Sequence, residues 1–212
     1  MKQTQLFDEW PETYDRWFTT SIGSLVKHYE TKLILDFLKP GSGEFILDAG
    51  CGTGIFTSDI RAAGSRVIGL DLSLPMLRYG KKKAGRVPCE VVVGDVLALP
   101  FPGEVFDKVV SITALEFVAN ARSAVDELFR VTRRGGCVLV ATLNSLSPPG
   151  RLEEKKRPGK GTGYLRRCFS GLLTRCFPLV RWAESQKPPS TFKNTMIRGS
   201  PLRLSPKDAG RV

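Results

Sequence analysis

Three short stretches of this 212-residue chain carry residue types that could hold one ligand between them. The first is Asp48-Ala49-Gly50-Cys51-Gly52-Thr53-Gly54, which follows directly on the apolar run Phe45–Asp48. A glycine-rich turn between a strand and a helix lets backbone approach a ligand closely and exposes the helix's first N–H groups. The second is Asp71, 19 residues after Gly52 at the end of the next apolar run. A carboxylate there can accept hydrogen bonds from two ribose hydroxyls. The third is Gly94-Asp95-Val96, closing a third run. As loop punctuation and helix caps these residues would need no ligand, but their order, spacing and type converge on one crevice.

The elements that must position them follow from periodicity. Residues 24–39 put Leu25, Val26, Tyr29, Leu33, Ile34, Phe37 and Leu38 on one helical stripe, stopped by Pro40-Gly41. Short apolar runs then alternate with helical segments. The strands are expected at Phe45–Asp48, Val67–Leu70, Glu90–Val93, Phe106–Ile112 and Cys137–Thr142, and the helices at 55–63, 74–84 and 121–132. Continuous rather than alternating apolar runs indicate strands buried on both faces, as in a parallel sheet. Strand–helix repetition gives a doubly wound, Rossmann-like α/β fold in which all three acidic stretches end strands on one sheet edge.

The motifs ILDAGCGTG (46–54), VIGLDLS (67–73), VVVGDVLALPF (91–101), FDKVVSITALEFV (106–118) and LFRVTRRGGCVLVATLN (128–144) resemble the class I S-adenosylmethionine-dependent methyltransferases. The likeness is to the type 11 group that includes ubiquinone and menaquinone biosynthesis enzymes, and it covers about residues 6–146. It implies S-adenosyl-L-methionine as cofactor and direct in-line methyl transfer to a small-molecule acceptor. By the same resemblance, Gly50, Gly52 and Gly54 line the methionine part, Asp48 sits near its amino group and Asp71 binds the ribose. Leu72 and Met76 flank the adenine, Asp95 and Val96 meet its amino edge, and Thr113 faces the transferable methyl. Where family members often have histidine this chain has Phe117, so no role of that histidine transfers. The rival cofactor is a nicotinamide dinucleotide, whose pyrophosphate wants G-x-G-x-x-G. This turn reads G-x-G-x-G behind a carboxylate that would repel pyrophosphate and attract an ammonium or sulfonium. Tyr79-x-x-x-Lys83 spells a dehydrogenase signature but falls after the second strand, where it reads as helix surface.

No catalytic residue is assigned by these patterns. His28, the single histidine, lies between Lys27 and Tyr29 on the first long helix and is expected to be a surface or packing residue. Tyr14, Asp15, Trp17 and Phe18 resemble the family's N-terminal lid, or else staple the first helix to the core. Cys51 reads as a small turn residue and Cys137 as core. Five cysteines without CxxC spacing give no zinc framework and no disulfide scaffold, so no metal is expected. The acidic, polar beginning and the absence of a long apolar run lead to the expectation of a cytoplasmic chain.

The net charge of +11 is not spread evenly. Residues 1–150 carry 17 Lys/Arg and 17 Asp/Glu, whereas 151–212 carry 15 Lys/Arg and only 4 Asp/Glu. The division expected is an N-terminal helical lid (1–40), a cofactor-binding core (41–146) and a basic, Pro/Gly-rich tail (147–212) without the last two strands of the sheet. Nucleic acid is not an expected partner of the neutral part. Residues 164–182 form a helical stripe with arginines beside it that could lie on a membrane surface or cover the sheet edge. The abrupt change in composition is also what an out-of-frame reading of a G+C-rich gene produces. The alternative to an enzyme is a cofactor-binding chain with little or no turnover, or an interaction protein that uses its basic tail.

Overall fold

The computed structural model describes residues 5–84, 90–142 and 179–184. Two helices, α1 (Pro11–Trp17) and α2 (Ser21–Leu38), precede a sheet built from β1 (Phe45–Ala49), β2 (Arg66–Asp71), β3 (Glu90–Val93), β4 (Phe106–Ile112), β5 (Thr132–Thr142) and β6 (Leu179–Glu184). Three further helices, α3 (Thr57–Ala62), α4 (Leu74–Lys83) and α5 (Ala121–Val131), lie between strands. The sheet order is β3-β2-β1-β4-β5-β6. The first five strands are parallel, and β6 runs antiparallel to β5. The chain moves outward from β1 to β3 and then returns to lay β4 on β1's other side. A crevice opens at this reversal, beyond the carboxyl ends of β1 and β4.

Successive strand side chains point to opposite faces, and here both faces are covered. Leu47, Ala49, Val109, Val138 and Val140 pack with Leu128 and Val131 of α5 in one core. Their chain neighbours Ile46, Val110, Leu139 and Ala141 pack with Ile34 and Leu38 of α2, Ile60 of α3 and Phe18 in the other. This two-sided burial is why the strands read as continuous apolar runs. Helix ends are set locally. Thr20 caps α2 by accepting from the Gly23 amide at 3.1 Å, and α2 stops at Lys39, in left-handed conformation, just before Pro40. Ser73 caps α4 through the Met76 amide, and Asn120 caps α5 through the Ser123 amide.

Two sequence expectations are corrected. β5 begins at Thr132 rather than Cys137, because Thr132 pairs with Phe106 and a register shift between Phe106 and Lys108 absorbs the Arg133–Gly136 segment. The tail was expected to hold no strand and to be helical over 164–182, yet Leu179–Glu184 pairs with Thr142–Cys137. Pro178 disfavours helix at its predecessor, and Leu179, Val180 and Trp182 have side chains suited to a strand. The remainder of the proposed amphipathic helix, 164–178, lies outside the described residues. Among the described residues no helix is long and apolar enough to cross a membrane.

Candidate functional site

β1 enters the crevice with Asp48, which is only 2% exposed. Its Oδ2 accepts a 2.5 Å hydrogen bond from the Thr57 hydroxyl at the start of α3. Its Oδ1 is the one buried side-chain polar atom without a partner among the described residues. Burial pushes the Asp48 carboxyl up to about 7, with nearby Asp71 adding to the rise and the Thr57 bond opposing it. A buried carboxylate with an open lone pair is a seat for a ligand N–H or a cationic group.

After Asp48 the chain turns through Gly50, at φ +82°. The Gly50 and Cys51 amides both donate to the Leu70 carbonyl, at 2.7 and 3.0 Å, which pins the turn against the end of β2. A Cβ on Gly50 would lie 2.4 Å from the Ala114 Cβ, so only glycine leaves the two loops their separation. Asp71 ends β2, and its Oδ2 accepts from the Gly52 amide at 2.8 Å while Oδ1 accepts from the Ser73 amide at 2.8 Å. Burial raises its carboxyl, and the backbone bonds from Ser73, Gly52 and Leu72 counter that rise. With three backbone donors on a carboxylate of about four lone-pair sites, one remains for an incoming hydroxyl. Asp95 is fixed after β3 by accepting from the Leu97 amide at 2.9 Å. Thr113, beyond β4, sits at φ +47° with its amide donating to the Ala141 carbonyl at 2.8 Å. A non-glycine residue held in this region is a strained position of the kind that clusters at functional sites.

These residues line one cavity of about 310 Å³. Of the sequence-predicted set, Asp48, Gly50, Gly52, Asp71, Leu72, Met76, Asp95, Val96 and Thr113 all lie on its wall. Gly54 does not; it borders a neighbouring depression with Thr57 and Gly80. Leu72 is 45% exposed at the rim and Met76 is buried beneath it on α4.

The N-terminal helices close the other side. Tyr14 and Phe18 line the cavity, with ring centroids 5.3 Å apart, and Phe18 meets Phe56 edge-on at 5.8 Å. Asp15 accepts from the Thr53 hydroxyl at 2.5 Å and pairs with Lys83 of α4 at 2.5 Å. This ties α1 to the glycine turn and gives Lys83 a structural partner. Phe18 also belongs to the core, so this segment is both staple and cavity wall. Burial, with Glu30 and Asp15 nearby, pushes the Tyr14 phenol up.

Two wall components went unnoticed in the sequence. Gln5, Leu6 and Phe7 reach the cavity, with Phe7 edge-on to Phe117 at 4.9 Å. Glu30 of α2 also lines it and is 8% exposed. Burial, then Glu116, raises its carboxyl to about 7. A signal for Glu30 existed: it stands four and eight residues before Ile34 and Leu38, in the buried line of α2. His28 is exposed, stacks edge-on to Tyr29 and is not on the cavity wall. Cys51 packs so closely over Gly69 that a Cβ there would come 2.7 Å from its sulfur. Among the described residues no group of three or more His, Cys, Asp or Glu is placed to hold a metal ion.

A Rossmann-like sheet with a glycine turn and carboxylates at its switch point defines a binder of a nucleoside-bearing cofactor. Comparison with known proteins sharpens this class. The family model described as "Methyltransferase domain" matches residues 47–140. The chain is 39% identical over 102 residues to malonyl-[acyl-carrier protein] O-methyltransferase of Yersinia pestis, covering 48% of this chain and 38% of that one. It is 36% identical over 157 residues to demethylmenaquinone methyltransferase of Renibacterium salmoninarum, covering 74% of this chain and 60% of that one. The fold matches phosphoethanolamine N-methyltransferase 1 of Haemonchus contortus with a TM-score of 0.58 at 19% identity, over 73% of this chain and 34% of that one. Residues 47–140 therefore carry a methyltransferase domain of the class I S-adenosylmethionine-dependent kind. It spans between 38% and 60% of the length of the two curated relatives named.

Proposed function

We propose that this chain is an S-adenosylmethionine-dependent methyltransferase acting on a small-molecule acceptor by direct in-line transfer. The observation that carries the reading is the unpartnered, buried Oδ1 of Asp48 beside the Gly50–Gly52 turn. It offers an anionic seat where a methionine ammonium would lie, and nothing on this wall favours a pyrophosphate.

Bound there, S-adenosylmethionine supplies a methyl group made electrophilic by its sulfonium. Gly50 and Gly52 would leave room for the aminoacyl part, and Asp71, held in place by the Gly52 and Ser73 amides, would accept from the ribose hydroxyls. Leu72 and Met76 would flank the base, Asp95 and Val96 would meet its amino edge, and Thr113 would face the methyl, all of them being residues of the cavity wall. Tyr14, Phe18, Phe7 and Phe117 exclude water from the remaining space and orient the acceptor. Holding the acceptor in line with the methyl converts a bimolecular encounter into a local one, which supplies much of the rate. The names of the relatives point to two acceptor kinds, a malonyl-[acyl-carrier protein] and a demethylmenaquinone. A small organic acceptor is the feature assigned to this chain.

Titration calorimetry tests the reading. S-adenosylmethionine and S-adenosylhomocysteine are expected to bind, and NAD is not. Binding of NAD without binding of S-adenosylhomocysteine would overturn the assignment.

A further inference from the structure

The cavity wall is unusual in its charge. Its described residues include four carboxyl groups, Glu30, Asp48, Asp71 and Asp95, and no lysine, arginine or histidine. Three of these acids end strands and are used by the cofactor reading. Glu30 is not: it descends from α2 on the opposite side, near Tyr14 and Phe18. It is 8% exposed, and the influences on its carboxyl are burial and the neighbouring Glu116 rather than a hydrogen-bond donor. Glu116, in the 3-10 turn Leu115–Phe117 beside Phe117 and Val118, adds a second negative group close enough to influence it. The part of the wall that the cofactor does not need carries Gln5 and the Tyr14 phenol beside Glu30 and is otherwise apolar, with Leu6, Phe7, Phe18, Phe117 and Val118.

Taking this cavity as the methyl-transfer site, as proposed above, we infer that Glu30 selects the acceptor by charge. The acceptor is a nucleophile that arrives as an amine or a neutral hydroxyl compound in an apolar frame, donating N–H or O–H to the Glu30 carboxylate. A carboxylate- or phosphate-bearing acceptor is rejected. The physical reason is twofold. A donor from the ligand would bond a carboxyl that lies on the wall of a partly enclosed, mostly apolar space, where the bond is worth more than in water. An anionic ligand would instead enter a low-dielectric space where the described protein residues offer carboxyl groups and no cationic side chain to offset its desolvation. Burial holds the Glu30 carboxyl near neutrality in its titration, so it serves either a protonated amine or a neutral donor without a fixed ion pair.

The test uses the full chain loaded with S-adenosylhomocysteine, wild type and Glu30→Gln. Three fragments of one frame that differ only in charge are titrated by ligand-observed NMR: 4-methylbenzylamine, 4-methylbenzyl alcohol and 4-methylbenzoate. In the wild type the amine and the alcohol are expected to bind at least about tenfold more tightly than the benzoate, the size of a modest like-charge interaction. In Glu30→Gln that gap is expected to shrink to about threefold or less. Equal binding of benzoate and amine to the wild type overturns the inference, as does an unchanged gap in the variant. Failure of all three fragments to bind also overturns it, because the cofactor-loaded cavity would then offer no acceptor space. Retention of S-adenosylhomocysteine by Glu30→Gln reports that it is folded. Loss of that binding in the wild type would count against the methyltransferase reading instead.

Discussion

Asp48 and Glu30 face each other's side of the cavity as buried acids, and both carry their protons to higher pH than an unfolded chain would. Their ordinary values are 3.8 and 4.5, and in the folded protein each rises to about 7. The folded state thus binds more protons over the interval between. The stability this contributes is fully present below about pH 4 and is lost as pH rises through 7. Unfolding free energy of the ligand-free protein is expected to fall by roughly 2–3 kcal/mol for each of the two groups between about pH 5 and 8. The Asp48→Asn and Glu30→Gln variants should lose less over the same range. Urea denaturation at several pH values reads this, and a wild type that gains stability over that interval would contradict it. Asp71 has a different task, holding the Gly52 and Ser73 amides while facing the ligand. Asp71→Ala is expected to weaken S-adenosylhomocysteine binding by about 1.5–3 kcal/mol, the range for hydrogen bonds to a charged group. Calorimetry on a variant whose thermal transition persists checks it; an unchanged affinity would remove Asp71 from the ribose site.

At the scale of elements, the glycine turn between β1 and α3 joins the sheet to its ligand. Gly50 combines a left-handed backbone with a neighbour, Ala114, that leaves no room for a Cβ. Gly50→Ala is expected to destabilise the protein by at least about 2 kcal/mol, from backbone strain and displacement of the Ala114 loop. A urea midpoint within error of the wild type would refute that. The turn, Asp71 and Gly94–Val96 were legible in the sequence because strand periodicity placed them on one edge, and residue type did the rest. Glu30 was less legible. The helical stripe drawn from Leu25 to Leu38 includes Ile34 and Leu38, but the buried line runs back from them through Glu30, while Leu25 is exposed. A helix packed against a sheet near a cavity buries a face that hydrophobicity alone does not locate. The start of β5 was hidden for another reason. Arg133-Arg134-Gly135-Gly136 has turn composition, and only the pairing of Thr132 with Phe106 reveals that the strand begins before it.

For the whole molecule, the order β3-β2-β1-β4-β5-β6 explains why residues 48, 71, 95 and 113 meet although they are spread over 66 positions of the chain. Each lies after a parallel strand that points the same way, so one sheet edge collects them. The excess positive charge of residues 151–212 takes no part in that edge among the described residues. β6 was illegible because its run is short and borders a stretch with helical periodicity; Pro178 was the available sign. The central claim is that a nucleoside cofactor with a cationic aminoacyl end sits at the carboxyl ends of β1 to β4. It is tested most directly by titrating S-adenosylhomocysteine into isotopically labelled protein and following the backbone amides by NMR. Saturable shifts are expected to concentrate at Gly50–Gly52, Asp71–Ser73, Asp95–Leu97 and Thr113–Ala114. Absence of saturable shifts, or shifts confined to the depression around Gly54 and Gly80, would contradict it.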